Sequence, residues 1–152
     1  MAAARGAMRL DPDGGAPHYW LGRLFLCAAD AERSYGRLKK AIPELEEAHR
    51  LAPDVDGAGP ARYLGRIYQM TPGWPMLGST TTAIAWYEKA AARAPTEPWN
   101  HLWLGEALLA ARQTEKARAA WERVLALPAR PGREEEDGGL QDQAWEQLEK
   151  LK

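Results

Sequence analysis

The chain has 152 residues, 45 % of them hydrophobic, and a formal net charge of −1. This describes one domain with a sizeable core, carrying too little charge to be drawn to a nucleic-acid backbone or an anionic membrane surface. The single cysteine, Cys27, excludes an intrachain disulfide framework and a thiolate zinc cluster.

The start, "MAAARGAMRLDPDGG", holds no apolar run of signal-peptide length. No stretch approaches the roughly 18 apolar residues of a membrane-crossing helix. Direct membrane insertion is therefore not expected. The chain as written is expected in the cytoplasm, or in the periplasm if the natural protein begins further upstream. Ala4, Ala7 and Pro12 look like the tail of a second helix whose first helix is missing, a partial unit over 1–12.

Helical spacing begins in "HYWLGRLFLCAADA" (18–31), where Trp20, Leu21 and Leu24 share a surface that Phe25 and Ala28 continue. After a linker, "ERSYGRL", the stretch 39–53 repeats the pattern with Ala41, Leu45 and Ala48. Pro43 is expected in the first turn of that helix, where a missing N–H is tolerated. "DVDGAGP" reads as a turn. A second helix pair follows at 60–70 and 80–94, and a third at 98–111 and 114–127. "PARPGREEEDGG" reads as a polar loop over 129–138, and Leu140, Ala144, Leu148 and Leu151 mark a last helix over 139–152 with Trp145 at its edge.

The pairs share a register. Leu-Gly recurs at Leu21-Gly22, Leu64-Gly65 and Leu104-Gly105, with Phe25, Tyr68 and Leu108 three residues on. The second helices carry small, large and small residues: Ala41/Leu45/Ala48, Ala83/Tyr87/Ala90 and Ala117/Trp121/Val124. Glycine and alanine let two helices approach, and the large residue is expected to fill the space between hairpins. The Gly-to-Ala distance is 19, 18 and 12 residues in the three pairs, so the first two carry six or seven extra residues. A hairpin that cannot bury its own apolar face must stack on the next.

This pattern resembles the tetratricopeptide repeat, of period about 34 residues. The resemblance implies an all-α solenoid of helical hairpins wound as a right-handed superhelix, with hairpins over 16–53, 58–95 and 98–128 and a C-terminal capping helix. Gly59-Pro60, Leu64-Gly65, Pro72-Gly73-Trp74-Pro75 and Gly78 narrow it. With "YGRLKKAIPELEEAHRLAPDVDGAG" and "LQDQAWEQLEKL" they are similar to the TRAP-transporter T-component-like family of bacterial tetratricopeptide proteins. That resemblance implies a periplasmic lipoprotein associated with a solute-binding protein, with an apolar ligand channel. The start as written departs from that expectation, with neither a signal-peptide run nor a lipobox cysteine.

In "TPGWPMLGSTT", the insertion of the second hairpin, Pro72 and Pro75 shape the turn and Gly73 and Gly78 supply unusual dihedrals. Three readings of Trp74 and Met76 stand open: a local core over the hairpin ends, a gate over a groove, or a knob for a partner. Ser79 or a neighbouring threonine is expected to cap the next helix.

By repeat register, the open face of the first helices includes Tyr19, Arg23 and Leu26, then Arg62, Arg66 and Gln69, then Trp99, Leu102, Glu106 and Leu109. Two arginines one turn apart could hold a carboxylate in fork geometry, with Arg66 the best single candidate. Alternatively, Arg62 and Arg66 pair with local carboxylates such as Asp54 or Asp56.

Catalysis finds little support. His18 and His101 share a repeat position and are expected to pack or hydrogen-bond rather than hold a metal, and Cys27 is expected to pack. Glu134, Glu135, Glu136 and Asp137 lack calcium-loop spacing, and no phosphate-cradling glycine loop occurs. The chain thus reads as a non-catalytic module without a cofactor. Its partner would be another protein or a second copy of itself, met through the groove or the N-terminal end. The alternative is a carrier of a small apolar or carboxylate-bearing ligand, in a tunnel lined by Trp99, Trp103 and Tyr19 with Arg62 or Arg66 at its mouth.

Overall fold

The computed structural model describes residues 14–71 and 78–152. The expected partial unit over 1–12 and the residues Pro72, Gly73, Trp74, Pro75 and Met76 lie outside the described residues. Seven helices are described: α1 Gly15–Glu32, α2 Tyr35–Leu51, α3 Gly59–Met70, α4 Thr80–Arg93, α5 Pro98–Ala110, α6 Thr114–Ala126 and α7 Glu134–Glu149. Helices α1 and α2, α3 and α4, and α5 and α6 pair as hairpins, and α7 lies against α6 and α5. The architecture is an all-α stack of helical hairpins. Among the described residues no helix is long and apolar enough to cross a membrane.

The recurring glycines have a specific task. A Cβ added at Gly22 would lie 2.7 Å from Leu45 Cγ, one at Gly65 2.7 Å from Tyr87 Cδ1, and one at Gly105 2.6 Å from Trp121 Cε2. Each large residue of a second helix therefore seats on the glycine of its own hairpin and, as the spacing suggested, also belongs to a core shared with the next element. Leu45, Tyr87 and Trp121 are fully buried, as are the small residues that flank them. One core joins hairpins one and two through Tyr19, Leu45 and Leu64. A second joins hairpins two and three to α7 through Tyr87, Trp121 and Leu140.

Several boundaries differ from the sequence expectation. Only Arg33 and Ser34 separate α1 from α2. Ser34 Oγ caps α2 by accepting from the Arg37 amide, and Arg33 turns the chain in the left-handed conformation. The extra residues of hairpin one thus lengthen its helices to 18 and 17 residues, against 13 each for α5 and α6. Pro43 is consequently interior to α2 rather than in its first turn. It lies on the exposed face, where water can serve the carbonyl that its missing N–H leaves unbonded. In hairpin two, Ser79 caps α4 through the Thr82 amide, and the Ser79 amide donates to the Tyr68 carbonyl, tying together the two ends of the insertion.

The expected loop over 129–138 is the largest revision. Helix α7 begins at Glu134, and the acidic run is its first turn. Carboxylates there face the positive end of the helix dipole. Asp137 is buried and accepts from the Arg130 amide and guanidinium. That guanidinium holds the Asp137 carboxyl below the usual carboxylate range.

The histidines have structural roles. His18 Nδ1 donates to Glu44 at 2.8 Å, His101 Nε2 donates to the Pro95 carbonyl at 2.9 Å, and His49 packs edge-on against Trp86. Cys27 is exposed, not packed as expected.

Overpacking at the glycine seats should be costly. Gly105→Ala is expected to lower stability by about 1–3 kcal/mol, read as the urea midpoint. Gly138→Ala, in an α7 position with nothing within 4 Å of the new Cβ, is expected to raise it by about 0.5–1 kcal/mol.

Burial lowers the pKa of His49 and of His101, aided by Lys89 and Arg93 beside the former and Arg123 beside the latter. The unfolded chain then binds more protons than the folded one below its ordinary histidine pKa of about 6.5. Stability is therefore complete above that pH and declines as pH falls through the lowered folded values. Urea midpoints measured stepwise from neutral to mildly acid pH should show this decline, and a His49→Gln/His101→Gln variant should flatten it.

Candidate interaction site: an aromatic and arginine ladder

The turn from hairpin one to hairpin two shapes the site. Asp56, Gly57 and Ala58 are successively left-handed, with φ of 52°, 60° and 63°. For the two non-glycine residues this conformation costs on the order of 1–2 kcal/mol each. Arg62, one turn into α3, holds the turn in place. Its guanidinium donates to the Gly57 carbonyl at 3.2 Å, the Asp56 carbonyl at 3.1 Å, the Asp56 carboxylate at 2.9 Å and Asn100 Oδ1 at 3.1 Å. Asn100 Nδ2 in turn donates to the carbonyls of Gly57, Ala90 and Ala94. Tyr19 from α1 donates to the same Asp56 carboxylate, and burial together with that bond pushes its hydroxyl pKa up. One polar network thereby joins all three hairpins.

Above this network a ladder runs along the first helices. Trp20, Tyr63 and Trp103 each precede the Leu-Gly pair, and Arg23, Arg66 and Glu106 each follow it. The Arg23 guanidinium lies 5.2 Å from the Trp20 ring centroid and 4.9 Å from that of Tyr63 in the next hairpin. Arg66 repeats the step, 4.9 Å from the Trp103 centroid, and donates to Glu106 at 3.1 Å. Tyr63 and Trp103 meet edge to face at 5.7 Å, and Trp99 meets Trp103 at 5.2 Å. Cations over such rings are attracted by the ring quadrupole.

Two concavities flank the ladder. A groove of about 600 Å³, open to solvent, has Leu26, Ile67, Met70 and Tyr35 among its lining residues, with Arg33 and Arg66 also on its wall. Cys27 lines it as well. A smaller socket of about 260 Å³ lies on the other side of Tyr63 and Trp103, lined also by Arg23, Asp56, Arg62, Glu97, Trp99, Arg133 and Glu136.

The sequence-predicted residues divide accordingly. Arg23, Arg66, Trp99 and Glu106 are half-buried and line the ladder or its concavities. Gln69 is half-buried and spent internally, accepting from the Tyr87 hydroxyl and from Arg66. Tyr19, Arg62 and Leu102 are corrected: they share one repeat position and are all buried, facing the neighbouring hairpin rather than the groove. Trp74 lies outside the described residues. Arg62 pairs with Asp56 as the alternative reading held, whereas Arg66 pairs with Glu106 and Asp54 pairs with Arg93. The residues missed were Trp20 and Tyr63, and Trp103 was read only as the wall of a ligand tunnel. Their signal was an aromatic before each Leu-Gly, readable as "WLG", "YLG" and "WLG". Among the described residues no group of three or more His, Cys, Asp or Glu is placed to hold a metal ion.

Comparison with known proteins agrees with this geometry. Residues 76–130 match the tetratricopeptide repeat model. The fold is similar to that in the crystal structure of MamA, with a TM-score of 0.64 and 20 % identity over 98 % of this chain and 82 % of that one. No curated protein matches the chain by sequence. The protein has a TPR-like, helical-hairpin repeat fold.

The two polar systems should differ sharply in weight. Asn100→Ala strips a donor from three backbone carbonyls, one of them in a buried bond, and an acceptor from Arg62, and is expected to cost about 2–3 kcal/mol. Arg66→Ala removes an ion pair with both side chains about one-third exposed and is expected to cost no more than about 1 kcal/mol. Paired denaturation curves test both.

Proposed function

We propose that the protein is a non-catalytic interaction module that lays a segment of a partner protein along the aromatic and arginine ladder of α1, α3 and α5. The observation that carries this reading is the ladder's continuity: the same aromatic and charged positions recur in three successive hairpins, and its middle rungs Tyr63, Arg66 and Trp103 line an open, largely apolar groove. Large aromatic residues and arginine are the side chains that dominate protein–protein binding energy. An extended or helical segment suits an open groove shared by several hairpins better than a small molecule does.

A second reading, a carrier of a small apolar or carboxylate-bearing ligand in the manner of TRAP-transporter accessory proteins, is favoured by the groove's volume, which lies in the range of about 300–1,000 Å³ usual for ligand sites. The openness of the groove favours the first. Native mass spectrometry of protein purified without denaturation separates them. An adduct lost on denaturation supports the carrier, and whole multiples of the chain mass support self-association.

The partner-segment reading is tested by selecting peptides from a random displayed library against the wild-type protein. Selected peptides are expected to bind Arg23→Glu and Arg66→Glu variants at least ~10-fold more weakly, as for hot-spot truncations, and to bind Trp145→Ser unchanged, since Trp145 is exposed on α7. Equal binding to all variants would sink the proposal.

A further inference from the structure

The socket beside the ladder carries an unused acceptor. Glu97 precedes α5 at the N-cap position, where a side chain ordinarily accepts from an amide of the first turn, yet its carboxylate makes no such bond. It is 8 % exposed. One oxygen, Oε2, accepts from Arg130. The other, Oε1, is buried and has no hydrogen-bond partner. Gly57 makes room for this arrangement, since a Cβ there would lie 3.0 Å from Glu97 Cγ. Glu97 also lines the socket, which sets its carboxylate beside the space that a donor would enter.

The socket's own cations are committed. Arg62 donates four of its five N–H groups to acceptors, and Arg130, outside the socket lining, is held by Asp137 and Glu97. Arg133 pairs with Glu136, which also accepts from Trp99 Nε1 at 2.8 Å. Arg23 spreads over aromatic rings and reaches Asp56 only at 3.8 Å. The walls that remain are Tyr63, Trp99 and Trp103, and two of these rings already host guanidinium groups. Aromatic walls over a buried carboxylate oxygen are a setting for a desolvated cation with N–H donors.

We infer that this socket takes the ammonium of a lysine side chain, carried by the partner segment that lies along the ladder. The inference rests on the partner-segment reading for the source of the lysine, but the socket can be tested without any peptide. The probe is N-acetyl-lysine methylamide, titrated into ¹⁵N-labelled full-length protein, with the Trp99 indole N–H resonance as readout. Three matched probes accompany it: the norleucine, glutamine and glutamate methylamides.

A saturable shift with the lysine probe is expected, and at most a slight one with the others. Glu97→Gln should weaken the lysine response at least ~5-fold, as for loss of a charge-assisted hydrogen bond. No saturable shift, an equal response to norleucine or glutamine, or a preference for glutamate would each overturn the inference. Should Glu97→Gln fail to fold, the four probes on the wild-type protein decide alone. Arg66 does not line the socket. Loss of peptide binding in Arg66→Glu therefore reports on the ladder, and the amino-acid probes report on the socket, so the two readings fail separately.

Discussion

The buried guanidinium of Arg62 is the constraint on which the arrangement of hairpins depends. Three successive left-handed residues would not persist unaided between two helices. They persist because Arg62 gathers the carbonyls they turn inward, and because Asp56 neutralises the charge in place. A buried charge of this kind contributes little net stability compared with an apolar residue. Its contribution is to position. The Asp56 carboxylate fixes α1 through Tyr19, and Asn100 fixes α5 through Arg62. The relative placement of the three first helices, and hence the spacing of the ladder rungs, follows from these bonds.

The apolar packing is modular where the polar network is not. Each hairpin closes on one contact between a glycine and a large residue, and the large residue grows along the chain from Leu45 to Tyr87 to Trp121. A larger side chain on the same seat fills more of the space toward the neighbouring hairpin. Trp121 also donates its indole N–H to the Leu102 carbonyl, so its polar atom is satisfied in the core. The stack can therefore vary its core volume from hairpin to hairpin without changing the backbone plan.

The hairpins were legible because Leu-Gly and small-large-small patterns report a backbone approach that few other residues permit. The open face was read about one residue off. A helical side chain leans toward the N-terminus, so the surface it covers lies over the turn before its own Cα. Tyr19, Arg62 and Leu102 thus fall beneath the next hairpin, and exposed Trp20 with half-buried Tyr63 and Trp103 forms the outer edge. Arg62 misled for a second reason. Besides Asp56 and Asn100, its partners are backbone carbonyls of a left-handed turn, and no residue type announces those. The first turn of α7 was missed because an acidic run followed by Gly138-Gly139 resembles a solvated loop. What makes it helical is a non-local pairing of Asp137 with Arg130.

The ladder also explains why the groove is preformed. Each arginine rests on the aromatic ring of the following hairpin, so the rungs brace one another along the stack. The third rung breaks the series: Glu106 stands where Arg23 and Arg66 stood, and it takes up the Arg66 charge. Arg23 remains the rung without a carboxylate within hydrogen-bond distance. The ladder is thus electrostatically asymmetric along its length: Arg23 is only loosely paired at hairpin one, whereas Arg66 and Glu106 neutralise each other between hairpins two and three. A symmetric apolar surface would accept a segment in either direction. On the proposed partner-segment reading, bracing would lower the ordering cost of binding, and the asymmetry would give the segment a preferred direction.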